Sequence, residues 1–146
     1  MIRRLLPSEQ KEIDEWEKRK AMDPLPAFRE IQRIMAAAYF QDPQKAHEFV
    51  NDVWPTLNIE VMRLGYQKEF GALHEFIRSR LRAIRARVLL VHGRQDAVAE
   101  GGVVEAHRLI RGSQLALINN CGHVPWLEQP DQLWDTVNRF LRALQK

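Results

Sequence analysis

An α/β fold is predicted for this chain: a mostly helical segment over residues 1–84, then the closing strand-helix units of a parallel sheet over residues 85–146. Three observations predict it. Before residue 85 the apolar residues recur at helical spacing. After it come two short continuous apolar runs, Val88–Val91 and Leu115–Ile118, of the kind buried on both faces of a parallel sheet. Between and after those runs lie helical patterns, and the short strand-helix-strand spacing points to a right-handed crossover between parallel neighbours.

The elements follow in order. Ile13 and Trp16 mark one face of a charged first helix, Phe28, Ile31, Met35, Ala38 and Tyr39 a second, and Ala46, Phe49, Val50 and Val53 a third. Pro24-x-Pro26, Asp42-Pro43 and Trp54-Pro55 separate them, because proline disfavours helix continuation. Gly65 and Gly71 frame a loop, and Leu73, Phe76, Ile77, Leu81 and Ile84 form a fourth apolar face. Beyond the first strand, Val103, Val104, His107, Leu109 and Ile110 belong to a helix that Gly112 stops from its C′ position. A last helix after Pro130 carries Leu133, Trp134, Val137, Phe140, Leu141 and Leu144 on one stripe. Two strands leave both edges and much of both faces open, so the sheet is expected to begin outside this chain.

A content of 45% apolar and 28% charged residues is that of a globular chain rather than a disordered one. The longest apolar stretches fall far short of the roughly 20 residues that a spanning helix needs, so no membrane segment is expected. Ser8-Glu9-Gln10-Lys11-Glu12 follows the first apolar residues too soon for a signal peptide, and Cys121 has no internal disulfide partner. A cytoplasmic location is the expectation. The net charge of +3 and the run Arg78 to Arg87 raise nucleic-acid binding, but Leu81 and Ile84 interrupt the arginines and no stacking aromatics are interleaved. A solvated helix face explains the run, and no nucleic-acid partner is expected.

The chemistry lies near the strand ends. Val88-Leu89-Leu90-Val91-His92-Gly93-Arg94-Gln95-Asp96 delivers an acid, and Asn120-Cys121-Gly122-His123 delivers a histidine after the next apolar run. With Gly122-His123-x-x-x-x-Glu128-x-Pro130 and an apolar helix ending Phe140-Leu141, these residues resemble the C-terminal third of α/β-hydrolases, in particular the proline-iminopeptidase-like and related lid-bearing members. The likeness is strong over residues 84–146 and loose over residues 1–83, where Tyr39-Phe40-x-Asp42-Pro43 is similar to the helical lid of that group. It implies a partial α/β-hydrolase fold, with Asp96 as the acid and Asp96-oriented His123 as the base of a catalytic triad. It implies no cofactor. Glu128 and Pro130 are expected to shape the turn into the last helix. This chain departs from the family pattern in having Arg87 before the strand and Glu100-Gly101-Gly102 beyond the acid, where prolines are common. It also contains no Gly-x-Ser-x-Gly.

Other candidates carry less. His92-Gly93 is expected to form a turn rather than an oxyanion loop, since no nucleophile elbow follows it. Cys121 is expected to be a small residue in a tight turn, and Ser79 and Ser113 lack an elbow's glycines. His47, His74 and His107 have no second ligand at metal-binding spacing, so no metal is expected. Trp16, Trp54, Trp126 and Trp134 are expected in core or lid contacts, with Trp54 and Trp126 able to wall an acyl or peptide pocket. The expected activity is that of a serine-type hydrolase of esters or amides, absent from this chain alone. Its expected partners are a missing N-terminal half or a second copy, and a small-molecule or peptide substrate in the complete protein. The alternative is a non-catalytic remnant acting as an oligomerisation or interaction module.

Overall fold

The computed structural model describes residues 5–53, 58, 60–61 and 70–145. The expectations for Trp54-Pro55 and Gly65 lie outside those residues, as do those for the side chains of Leu73 and His74. The helical segment opens with α1 (Pro7–Arg19), α2 (Pro24–Ala38) and α3 (Pro43–Glu48), the last running into a π-helical turn at Phe49–Val53. Proline opens each of the three because an N1 residue needs no N–H for the helix ladder and proline's φ already suits it. At α3 the Asp42 carboxylate also caps the helix, accepting the Gln44 N–H at 2.9 Å.

The apolar faces meet as their spacing predicts. Ile13 of α1 packs with Ile31 and Ile34 of α2, and Trp16 and Met35 flank that cluster. Phe28 and Ala36 on α2 meet Phe49 and Val50, which the wide π turn carries inward. The third expected helix is therefore a short α-helix plus a π turn. Helix α4 (Phe70–Leu81) includes Gly71, which was expected in a loop, and it ends before Ile84. Its expected apolar face is not covered: Phe76 and Ile77 are 57% and 48% exposed. An Arg78 Nε–Glu105 Oε1 ion pair of 2.6 Å ties it to the following helix, and Arg80 stacks over Phe76.

The sheet segment comprises β1 (Leu89–Gly93), α5 (Gly101–Leu109), β2 (Gln114–Ile118), the four-residue α6 (Pro125–Glu128) and α7 (Pro130–Ala143). The strands pair in parallel, from Leu89 opposite Gln114 to Gly93 opposite Ile118. Strand β1 runs through His92 and Gly93, which were expected in the turn. Helix α5 ends earlier than its apolar pattern, with Ile110 as the cap. Gly112 then serves not at C′ but as the third residue of a turn closed by the Ser113 N–H on the Ile110 carbonyl, where its φ of +75° is needed.

Both strands are less covered than their apolar runs imply. Only Gly93 and Ile118 are buried, because the sheet has two strands among the described residues and its outer edges have no neighbour there. Leu133 of α7 is buried, while Trp134, Leu141 and Leu144 on the same predicted stripe are 55%, 48% and 43% exposed. Trp126 is also exposed, so of the core or lid contacts expected for the tryptophans neither it nor Trp134 makes a core contact, whereas Trp16 does pack. Among the described residues no helix is long and apolar enough to cross a membrane.

Candidate functional site

The parallel pairing places the C-terminal ends of β1 and β2 side by side, and each strand feeds directly into a loop that carries one predicted site residue. Backbone and side-chain bonds bind those loops together. Arg94 donates its N–H to the Ile118 carbonyl and Gln95 to the Cys121 carbonyl, each at 2.9 Å. The Gln95 Oε1 accepts the Cys121 N–H in return at 3.1 Å. Asn120, at φ 51°, reverses the second loop toward the first.

Gly93 and Gly122 are where these backbones touch. A Cβ on Gly93 would stand 2.0 Å from the Gly122 carbonyl oxygen, and one on Gly122 would stand 2.2 Å from that of Tyr39. Only glycine permits either approach.

The outcome is a carboxylate–imidazole pair. His123 Nδ1 lies 2.8 Å from Asp96 Oδ2, with the Asp96 side chain 3% exposed and the His123 side chain 52% exposed. The other carboxylate oxygen, Oδ1, accepts the Val98 N–H at 2.8 Å, a local turn that fixes the carboxylate plane. A buried carboxylate that accepts from Nδ1 selects the tautomer with the proton on Nδ1, leaving Nε2 to accept a proton from elsewhere. The arrangement can therefore orient a general base.

Several neighbours of the pair were not linked to it from the sequence. His92, on β1, brings its Nδ1 within 3.7 Å of the same Asp96 oxygen, too far for a hydrogen bond but close enough to share its field. The spacing of four residues to Asp96 was the available signal. Tyr39, at the end of α2, accepts the His123 N–H on its carbonyl at 2.8 Å, and its ring centroid lies 5.1 Å from the imidazole. Glu128 was expected only to shape a turn, but it is buried and its carboxylate accepts backbone N–H groups from Gly122, Gln41 and Asp42. The Gly122 bond lies within the expected turn, and the other two reach across the chain to the link between α2 and α3.

The remaining candidates stand apart from this chemistry. Cys121 is fully buried, and burial, reinforced by the negative charges of Glu128 and Asp96, pushes its thiol up to about 11. A thiol so held is neutral at physiological pH and a poor nucleophile. Because the folded-state value exceeds the ordinary 9.0, the stability it contributes is present below pH 9 and lost as pH rises toward 11. Urea midpoints should therefore fall across that window, by an equivalent of about 2–3 kcal/mol, and Cys121→Ala should flatten the fall. A wild-type curve as flat as the variant's would contradict the assignment.

Ser113 donates its hydroxyl to the His107 carbonyl and accepts from His107 Nδ1, closing the end of α5, and Ser79 donates to the Phe76 carbonyl. His47 is engaged with Asn51. Among the described residues no group of three or more His, Cys, Asp or Glu is disposed to hold a metal. A groove of about 550 Å³ between α1, α2 and α3 is lined by the apolar Leu6, Ala37, Phe40, Ala46 and Val50 and by the polar Glu9, Arg33, Gln41 and His47.

No family model matches the sequence. The chain is 34% identical over 67 residues to a pimeloyl-[acyl-carrier protein] methyl ester esterase of Nitrosospira multiformis, a match spanning 45% of this chain and 26% of that protein. It is 33% identical over 57 residues to the protein of the same description from Nitrosomonas europaea, spanning 38% of this chain and 23% of that one. The matches thus cover about a quarter of the length of these curated relatives. Among solved structures the chain is similar to the 2-hydroxy-6-oxo-6-phenylhexa-2,4-dienoate hydrolase of Rhodococcus sp. strain RHA1, with a TM-score of 0.61 and 20% identity. That superposition takes in 97% of this chain and 51% of the other. The chain carries part of an α/β-hydrolase fold.

Proposed function

We propose that this part of an α/β-hydrolase supplies the acid and the base of a serine-type acyl-transfer hydrolase, acting on a carboxylic ester, with the nucleophile on sequence outside these 146 residues. The observation that carries the proposal is the 2.8 Å contact between His123 Nδ1 and the buried Asp96 carboxylate at two adjoining strand ends. In that role His123 Nε2 takes the nucleophile's proton as the hydroxyl attacks the acyl carbon, then returns it to the leaving alcohol. Asp96 holds the tautomer and stabilises the imidazolium formed on the way. The helices of residues 1–84 serve as a lid over the acyl group, and the groove lined by Leu6, Ala37, Phe40, Ala46 and Val50 gives that lid an apolar face.

An ester is favoured because both curated relatives bear the name of an ester hydrolase. The likeness to proline-iminopeptidase-like hydrolases makes a prolyl amide the second substrate class. The test is hydrolysis of activated esters and prolyl amides by this chain joined to, or mixed with, a segment bearing a Gly-x-Ser-x-Gly elbow. Ester turnover that requires both Asp96 and His123 is the expected result. Turnover indifferent to both would remove the proposal.

The exposed residues Trp134 and Leu141 on α7, and Leu144 just beyond it, favour association in either case, with the complementary half of the fold or with a second copy, and they are the basis of a non-catalytic interaction reading. Sedimentation of the isolated chain should show self-association that strengthens with concentration. A monomer with a concentration-independent cooperative melt would mean that the two-stranded segment closes its own core.

A further inference from the structure

Glu128 is buried, at 6% exposure, yet nothing in its own helix calls for an acid. It occupies the last position of the four-residue α6, at the end where a carboxylate gains nothing from the peptide dipoles. Its partners lie elsewhere. Oε2 accepts the Gly122 N–H at 2.6 Å, and Oε1 accepts the N–H groups of Gln41, at 2.5 Å, and Asp42, at 3.0 Å. The last two donors come from the link between α2 and α3, more than eighty residues earlier in the chain.

Those three donors lie on the two segments that hold one residue, His123. Gly122 immediately precedes His123, and Gln41 and Asp42 follow Tyr39, whose carbonyl accepts the His123 N–H and whose ring packs near the imidazole. Val124 and Leu127 pack with Phe40 and Ala46 beside these bonds, and Lys45 Nζ donates to the Leu127 carbonyl at 2.6 Å. A single carboxylate thus fixes both chain segments that hold the histidine. Gly122 has no Cβ because one would meet both the Tyr39 carbonyl and the Glu128 carboxylate.

We infer that Glu128 is a positioning residue: by tying the Tyr39–Asp42 segment to the His123 loop, it holds the His123 imidazole in register with Asp96. The inference rests on the acid–base role proposed for that pair. It makes the placement of the helical segment and the placement of the base one mechanical unit, so that displacement of residues 39–42 reaches the histidine through the Glu128 carboxylate as well as directly through Tyr39.

The test uses the full chain and the Nδ1–H proton of His123, observed by NMR in the wild type, Glu128→Gln, Glu128→Asp and Asp96→Asn. A carboxamide must present an N–H₂ group to donors that need an acceptor, while the shorter aspartate keeps the charge but cannot span all three. Exchange of the Nδ1–H proton with water should accelerate roughly ten- to a hundredfold in Glu128→Gln, and less in Glu128→Asp, the range expected when a hydrogen bond to a charged group is lost. If Glu128→Gln does not fold, Glu128→Asp carries the same comparison. Nδ1–H exchange within about twofold of the wild type, while the Gly122 and Gln41 amides exchange faster, would overturn the inference and leave Glu128 a stabiliser of the turn alone. Failure of the acid–base role has a separate signature, an Nδ1–H proton unaffected by Asp96→Asn, and it would overturn the inference with it.

Discussion

Purified alone, the 146-residue chain is expected to leave activated esters unhydrolysed and fluorophosphonates unbound, and to gain ester turnover once an elbow-bearing segment is supplied. The chain has no Gly-x-Ser-x-Gly, the Cys121 thiol is buried and held neutral, and the hydroxyls of Ser79 and Ser113 are bonded to backbone carbonyls. A base with nothing to deprotonate performs no acyl transfer. In the completed hydrolase, His123→Ala should lower kcat/KM by about 10³- to 10⁶-fold and Asp96→Asn by about 10⁴-fold, the scale set when a triad loses its base or presents the wrong tautomer. Removing both should cost little more than removing His123, because the pair acts as a unit. Stoichiometric labelling of the lone chain, abolished by His123→Ala, would show a nucleophile within these residues and refute this account.

The largest structural effect is expected at Gly93. Its absent Cβ would stand 2.0 Å from the Gly122 carbonyl oxygen and 2.4 Å from that of Cys121, both backbone atoms that cannot rotate aside. Gly93→Ala must therefore separate the two strand-end loops, breaking the Gln95–Cys121 bonds and pulling Asp96 from His123. A loss of about 3 kcal/mol or more is expected from such overpacking, seen as a melting temperature lower by roughly 10 °C and as loss of the Asp96–His123 contact. Gly101→Ala, with nothing near its Cβ position, is the control and should leave both unchanged. Equal stability in the two variants would mean that the loops do not approach as described.

What could be read from the sequence divides along physical lines. The strands and the helices opened by Pro24, Pro43 and Pro130 were legible because period, proline and burial all act locally. Asp96 and His123 were legible because each sits just beyond an apolar run, so their proximity follows once the two strands are parallel neighbours. Gly71 and Gly112 were misplaced by context: one lies within a helix, and the other turns the chain two residues past a cap. The stripe on α7 was visible, but not which of its residues the sheet would reach, since that depends on how many strands lie beneath. Glu128 illustrates the remaining limit. Its partners Gln41 and Asp42 are far away in the chain and offer only backbone N–H groups, which leave no trace in side-chain identity.

The most direct test of the central claim is the ¹⁵N spectrum of the His123 imidazole at a pH where the ring is neutral. A histidine oriented by Asp96 carries its proton on Nδ1 and presents Nε2 as the acceptor, the tautomer that a general base requires and that an imidazole free in water disfavours. The wild type is expected to show a protonated Nδ1 and an unprotonated Nε2, with that preference lost in Asp96→Asn. A wild-type ring protonated on Nε2, or one that Asp96→Asn leaves unchanged, would show that Asp96 does not orient His123 and that these residues are not two members of a hydrolytic triad.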